Sequence, residues 1–69
     1  MRKSEIAATV RARRKASGQT QQRLAERLGV SVMRVSEWER GLARPSPRAV
    51  RGLVEHLGGG PEDYGREDD

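Results

Sequence analysis

The side chains that could perform acid–base, nucleophilic or metal chemistry are few and isolated in this chain. His56 is the only histidine and there is no cysteine. Between Glu55 and Leu57, His56 could be a pH switch or a metal ligand, but without a second ligand an exposed or interfacial histidine is the simpler interpretation. Glu37 could act as a base, yet no partner acid, base or metal accompanies it. We therefore expect no enzyme, no metal site and no cofactor.

The basic side chains offer a different chemistry, which is the binding of polyanions. The chain has 14 Lys+Arg and 10 Asp+Glu, but residues 61–69 hold one Arg and five acids, a net charge of −4. Residues 1–60 therefore hold 13 basic and 5 acidic residues, a net charge of +8. A body this basic favours a nucleic acid as its partner. The alternative is an arginine-rich, solvated surface with no such partner.

The scarcity of aromatic residues narrows the class of nucleic acid. Trp38 and Tyr64 are the only aromatic residues. Proteins that bind single strands usually stack bases on exposed rings, so this composition argues against them. Trp38 has the phase of an inward-facing helix residue, which favours core packing over base stacking. Duplex DNA read by a helix needs no stacking ring, and it is the nucleic acid that fits best.

Chain length and composition bear on the number of domains and on the cellular compartment. The chain has 69 residues, enough for one domain. No apolar run approaches the roughly 20 residues of a membrane span. The opening Met1–Glu5 leads into no long apolar stretch, which argues against a signal peptide. The absence of cysteine fits a reducing compartment, so we expect a single small domain in the cytoplasm, without membrane association.

Helical periodicity runs through the chain, and no segment alternates like a strand. We predict an all-α bundle with helices over about residues 4–16, 21–28, 32–39 and 47–57. A hydroxyl residue stands at the start of each helix and can cap it, namely Ser4, Thr20, Ser31 and Ser46. Gly18, Gly29 and Gly41 supply the breaks between helices.

The last residues have the composition of a tail. Gly58–Gly60 followed by Pro61 should end the fourth helix, because three glycines make helix continuation entropically costly. We expect a domain over residues 1–57 and a flexible acidic tail over residues 58–69, with a possible fifth helical turn at Pro61–Tyr64. Such a tail could be a solubilising end, could fold back on the basic face and tune DNA affinity, or could bind a partner.

One segment, residues 21–38, has the pattern of two short helices joined by a tight turn. Ala25 must be small because the second helix crosses close above it. Gly29 lies where the backbone needs a positive φ, and Val30 fills the angle between the helices. Seven positions satisfy these steric demands together: Leu24, Ala25, Leu28, Gly29, Val30, Val35 and Trp38. The combination indicates a helix-turn-helix unit.

This pattern resembles the phage repressor and Cro class of helix-turn-helix proteins, the XRE family, over about Val10–Leu57. The residues that carry the resemblance are Thr20-Gln21, Leu24-Ala25, Leu28–Ser31, Val35, Trp38–Gly41 and Pro45. The segment from Trp38 to Ser46 also resembles single-domain HigA-type antitoxins, where a similar run joins the recognition helix to the next helix. The resemblance implies a lambda-repressor-like bundle of four helices, or of five if a short last helix is present.

The same resemblance assigns roles on DNA. The second helix of the pair lies in the major groove in this family. Its implied base-contacting positions are Val32, Met33, Arg34, Ser36 and Glu37, with Arg34 facing either a base or the backbone. The implied phosphate-contacting positions are Thr20, Gln21, Ser31, Arg40, Arg44, Ser46 and Arg48. Glu37 can accept from cytosine N4 or repel a wrong phosphate register, although a solvated charge remains the alternative.

The sequence departs from the family's pattern where bases are read. Val32 and Met33 replace the polar pair that many relatives use. Apolar side chains can touch a thymine methyl group but cannot make bidentate hydrogen bonds. Base readout should therefore depend on Arg34, Ser36 and Glu37, or in part on DNA shape.

Two further positions concern stability. The family pairs the arginine at Arg14 with the glutamate at Glu39, which implies a partly buried ion pair; two solvated charges are the alternative. Arg13 is expected to be its exposed neighbour. Gln19 occupies a position that is usually a buried aliphatic, which should weaken packing at the first turn.

Taken together, these observations predict a sequence-specific regulator of duplex DNA, acting as a repressor and as a homodimer on a palindromic operator. A domain this small makes too few base contacts for strong selectivity, and two-fold pairing doubles them. The alternative is an antitoxin that binds a toxin protein and autoregulates its operon. A protein-only adaptor is a third reading, which Arg34, Arg40 and Arg44 oppose because they make the recognition face basic.

Overall fold

A computed structural model describes residues 1–65, which form four α-helices and one 3₁₀ turn. The helices are α1 (Lys3–Ala16), α2 (Gln21–Leu28), α3 (Val32–Glu39) and α4 (Pro47–Leu57), followed by the 3₁₀ turn Pro61–Tyr64. The described residues contain no strand, so the prediction of an all-α helix-turn-helix bundle is confirmed. None of these helices has the length and apolarity needed to span a membrane.

Local side-chain caps explain where three of the helices begin. The hydroxyls of Thr20, Ser31 and Ser46 each accept from the backbone N–H three residues later, at 3.0, 3.2 and 3.1 Å. The prediction of Ser4 as the cap of α1 is wrong, because that helix begins at Lys3. There the Glu5 carboxylate accepts from the Arg2 backbone N–H at 2.8 Å, so a side chain inside the first turn caps the helix.

The helix-turn-helix unit is built by close approach of the helices. Gly29 ends α2 with a φ of 70°, in the left-handed region that favours glycine. Leu24, Ala25, Val35 and Trp38 are all buried, and they join residues of α1 and α4 in one hydrophobic core. On the other side of α2, α4 approaches so closely that a Cβ on Gly52 would collide with the Leu28 side chain. The pair formed by α2 and α3 is therefore held by both neighbours, because α1 packs on α3 and α4 packs on α2.

The structure corrects the boundary expected at residue 57. Tyr64 is 1% exposed and belongs to the same core as Ile6, Val10 and Leu53. Its hydroxyl donates to the Gly58 carbonyl at 2.8 Å. Residues 58–65 are thus packed on the bundle rather than part of a flexible tail. The remainder of the expected acidic tail, residues 66–69, lies outside the described residues.

Arg13 holds this C-terminal segment against α1. One guanidinium nitrogen, Nη1, donates to the Gly58 carbonyl at 2.9 Å, and lies 3.3 Å from the Tyr64 hydroxyl and 3.4 Å from the Asp63 carboxylate. The guanidinium also lies 5.6 Å from the centroid of the Tyr64 ring, within the range of a cation–π contact. The hydrogen bond with Tyr64 is the main cause that raises the pKa of Arg13. Arg13 is therefore not the free surface residue that was expected.

Removing the Tyr64 ring tests whether residues 58–65 are part of the folding unit. Tyr64→Ala should lower the free energy of unfolding by about 3–5 kcal/mol, because it deletes a buried aromatic side chain. Leu42→Ala is the matched control, since Leu42 is 56% exposed and its truncation should have almost no effect. Urea denaturation followed by circular dichroism measures both changes. Equal midpoints for the two variants would contradict the docking of Tyr64.

Candidate nucleic-acid interface

The face of α3 that points away from the core carries the residues expected to contact bases. Val35 and Trp38 face inward, at 0% and 2% exposure, and Met33 lies on the opposite side at 64%. Successive residues rotate by about 100° around a helix, so Glu37 shares the outer face with Met33. Val32 and Arg34 are exposed on the two flanks, and Ser36 and Glu37 are half-buried. The five positions therefore form one accessible surface, with Met33 and Glu37 at its centre.

The N-termini of two neighbouring helices approach α3: Gln21 at the start of α2 is hydrogen-bonded to Glu39, and Ser46 before α4 lines a cleft with Arg34. The first-turn backbone N–H groups of a helix have no intrahelical partner and favour anions. The cap hydroxyls satisfy one N–H in each first turn, at Arg23, Arg34 and Ala49. These three helices are α2, α3 and α4, and their cap residues Thr20, Ser31 and Ser46 are all exposed. The arrangement can present hydroxyl and amide donors to phosphates.

The arginines of the α3–α4 connection, together with Arg48 in the first turn of α4, add positive charge near these helix ends. Arg40, Arg44 and Arg48 are exposed, and within residues 1–65 their side chains form no ion pair. Arg44 shares a cleft of about 280 Å³ with Arg34 and Ser46, and Val30 and Trp38 form its apolar walls. Arg34 thus lies beside Ser46 and Arg44, two predicted phosphate-contacting residues, as well as on a flank of the outer face of α3.

A nearly buried ion pair joins the recognition helix to α1. Arg14 donates from Nε to Glu39 Oε2 at 2.6 Å and from Nη2 to Glu39 Oε1 at 3.0 Å. The two side chains are 11% and 3% exposed. The hydrogen bond to Glu39 is the main cause that raises the pKa of Arg14, while burial acts in the opposite direction. The two residues that the resemblance pairs are therefore in direct bidentate contact.

Two glutamines are hydrogen-bonded to this ion pair, and sequence reasoning predicted neither bond. Gln21, expected on a phosphate, uses its side-chain amide to donate to Glu39 Oε1 at 3.1 Å. The side chain of Gln21 is thereby fixed at the N-terminus of α2. Arg14 also donates to the Gln19 backbone carbonyl at 2.9 Å. The Gln19 side-chain oxygen is buried and has no hydrogen-bond partner among the described residues, which is the expected consequence of a glutamine at a position usually occupied by an aliphatic residue.

The family model described as a helix-turn-helix domain matches residues 5–64, which is most of the chain. The chain belongs to the helix-turn-helix domain family. This family indicates a regulator that binds DNA. A search of curated proteins finds no match.

The extent of the helix-turn-helix match agrees with the packing of the C-terminal segment. The match ends at Tyr64, the last residue of the 3₁₀ turn and a member of the core. Sequence reasoning overlooked this, although Tyr64 is the only tyrosine and lies in an otherwise polar segment, which was the available signal. No group of three or more potential metal ligands occurs within residues 1–65. The site that the described residues offer is the exposed face of α3 with the exposed arginines of the following segment.

Truncation of Arg14 tests the ion pair that supports this helix-turn-helix domain. Arg14→Ala should lower the free energy of unfolding by about 3–5 kcal/mol, because the Glu39 carboxylate would remain buried without its partner. Arg23→Ala is the matched control: Arg23 pairs with Glu26 at 3.4 Å, but both side chains are more than half exposed. Exposed pairs of this kind contribute at most about 1 kcal/mol. Similar urea midpoints for both variants would contradict a structural role for the buried pair.

Proposed function

We propose that this protein is a sequence-specific transcriptional regulator that inserts α3 into the major groove of duplex DNA. The observation that carries the proposal is the accessible outer face of α3, next to which lie the start of α2, through Gln21, and the start of α4, through Ser46. Arg40, Arg44 and Arg48 are exposed and have no ion-pair partner in the part of the chain that the structure describes. A convex helix with phosphate-binding groups on either side suits the major groove, which admits an α-helix. The protein acts by binding and not by catalysis.

The residues divide into two roles on this proposal. Met33 and Glu37 lie at the centre of the outer face, flanked by Val32 and Ser36, and contact base edges. The exposed ends of α2 and α4, together with Arg40, Arg44 and Arg48, hold phosphates. Phosphate contacts position the protein and carry no sequence information, whereas base contacts specify the site. The apolar side chains favour a thymine methyl group over hydrogen-bonded readout.

The small size of this surface favours a homodimer. One α3 helix offers only a few base-contacting side chains, and a homodimer on a palindromic operator doubles the number of contacts. Occupation of such an operator within a promoter would block transcription, so we propose a repressor that acts in the cytoplasm. Homodimerisation also predicts half-sites about one helical turn, roughly 34 Å, apart.

Two substitutions separate phosphate binding from base reading. Arg44→Ala should weaken binding to all duplexes alike and reduce the slope of log K against log salt by about 1 per arginine lost. Glu37→Ala should instead change the preferred sequence, by about 1–3 kcal/mol per base pair, and leave the salt slope almost unchanged. Duplexes selected from a random pool provide the operator, and titrations at several salt concentrations on operator and scrambled DNA provide the slopes.

The controls for this experiment come from the same chain. Arg27→Ala removes an exposed arginine of α2 that is not among the proposed contacts, and it should change neither slope nor preference. Footprinting on the selected operator should show two-fold symmetric protection on one face of the duplex. A changed base preference in Arg44→Ala with an intact preference in Glu37→Ala would show that the residue roles are wrong. Full affinity for one asymmetric site by a single copy would exclude the dimer.

A further inference from the structure

An open groove runs along α1 on the side that faces the end of α3. Its volume is about 620 Å³, and it extends from Ser4 to Lys15 on α1 and across to Arg40 and Gly41. This part of α1 covers eleven residue steps, or about 16 Å at 1.5 Å per residue. Small residues, Ala8 and Ala12, form its exposed floor.

The groove has cations on both of its walls. Arg11 and Lys15 are exposed on α1, four residues apart and hence one helical turn from each other. Arg40 is exposed on the opposite wall. None of these three side chains forms a hydrogen bond or an ion pair with another of residues 1–65. These cations are therefore available to an external anion.

The carboxylate in the groove does not cancel this charge. Glu39 lines the groove, but its side chain is only 3% exposed. Both of its oxygens accept hydrogen bonds from Arg14, and Gln21 donates to one of them as well. The negative charge is thus compensated inside the protein, and the groove presents a net positive surface to a ligand.

We infer that this groove binds a phosphate backbone of duplex DNA outside the segment read by α3, with Arg11, Lys15 and Arg40 as the contacting side chains. The inference rests on the proposed function and extends it, because it adds α1 to the DNA-binding surface. A sugar–phosphate strand carries regularly spaced charges, which suits cations placed along a groove with a floor of small residues.

The position of the groove relative to the other proposed contacts supports DNA over an acidic protein. Glu39 lines the groove and is hydrogen-bonded to Gln21 at the N-terminus of α2, which is a proposed phosphate-binding end. Arg40 lies in the groove and also begins the connection that carries Arg44. The groove is therefore continuous with the surface that α2 and the α3–α4 connection offer to DNA.

The salt dependence of DNA binding tests this inference. Arg11→Gln/Lys15→Gln should reduce the slope of log K against log salt by about 1.8 for each bound copy, because each lost phosphate contact removes about 0.9. Fluorescence anisotropy on a labelled mixed-sequence duplex of roughly 30 base pairs, about three helical turns, measures the slope. Arg11→Lys/Lys15→Arg should retain the wild-type slope, since phosphates require the charge rather than the residue type. Arg27→Gln/Arg51→Gln, which removes two exposed cations outside the groove, should also retain it.

Each other outcome overturns the inference. An equal loss of slope in the groove and control variants would indicate a general charge effect, and an unchanged slope in the groove variant would remove α1 from the DNA surface. If the groove variant binds DNA normally but loses binding to poly-L-glutamate that the control variant keeps, the groove belongs to an acidic protein. If the wild-type chain binds no duplex at low salt, the proposed function fails with the inference. Circular dichroism melts confirm that each variant is folded.

Discussion

The contact between Arg14 and Glu39 is the constraint on which the rest of this small structure depends. One guanidinium from α1 holds the last residue of α3 through two hydrogen bonds, and Gln21 at the start of α2 shares the same carboxylate. Three helix ends therefore meet at a single buried charge. Because a buried carboxylate is costly without its partner, these helices cannot separate at this end without a large energetic penalty. The orientation of α3 relative to the bundle is set there.

The same contact shapes the electrostatics of the surface. Glu39 is compensated internally, so the exposed arginines on either side of it are not offset by its charge. Asp63 contacts Arg13, on the side of α1 that holds the C-terminal segment. Within residues 1–65, exposed arginines without an ion pair thus lie beside α3 and along one side of α1, and others, such as Arg27 and Arg51, lie elsewhere.

The core shows how so small a domain gathers enough buried surface. A chain of this length buries only about 60% of the surface that it exposes when unfolded. The 3₁₀ turn returns Tyr64 to the core beside Ile6 and Leu53, and Arg13 satisfies polar groups at the edge of this contact. Tyr64 is one of only two aromatic residues in the chain, and both are buried. The aromatic residues therefore serve the fold, and the binding face is left to arginines, hydroxyls and backbone amides.

Most of the secondary structure and the helix-turn-helix turn were determined by the sequence itself, because the interactions involved are local. The hydroxyls of Thr20, Ser31 and Ser46 accept hydrogen bonds from backbone N–H groups three residues later. The positive φ of Gly29 depends only on that position being glycine. The resemblance added the pairing of Arg14 with Glu39, which no local signal indicates.

Tertiary structure alone decided the docking of Tyr64 and the internal bond of Gln21. The glycines at 58–60 indicate only where α4 stops, and they do not indicate where the chain goes next. The contacts of Arg13 with Asp63 and Tyr64 join residues 50 and 51 positions apart. Such contacts depend on how the helices pack, and no short segment of sequence encodes them.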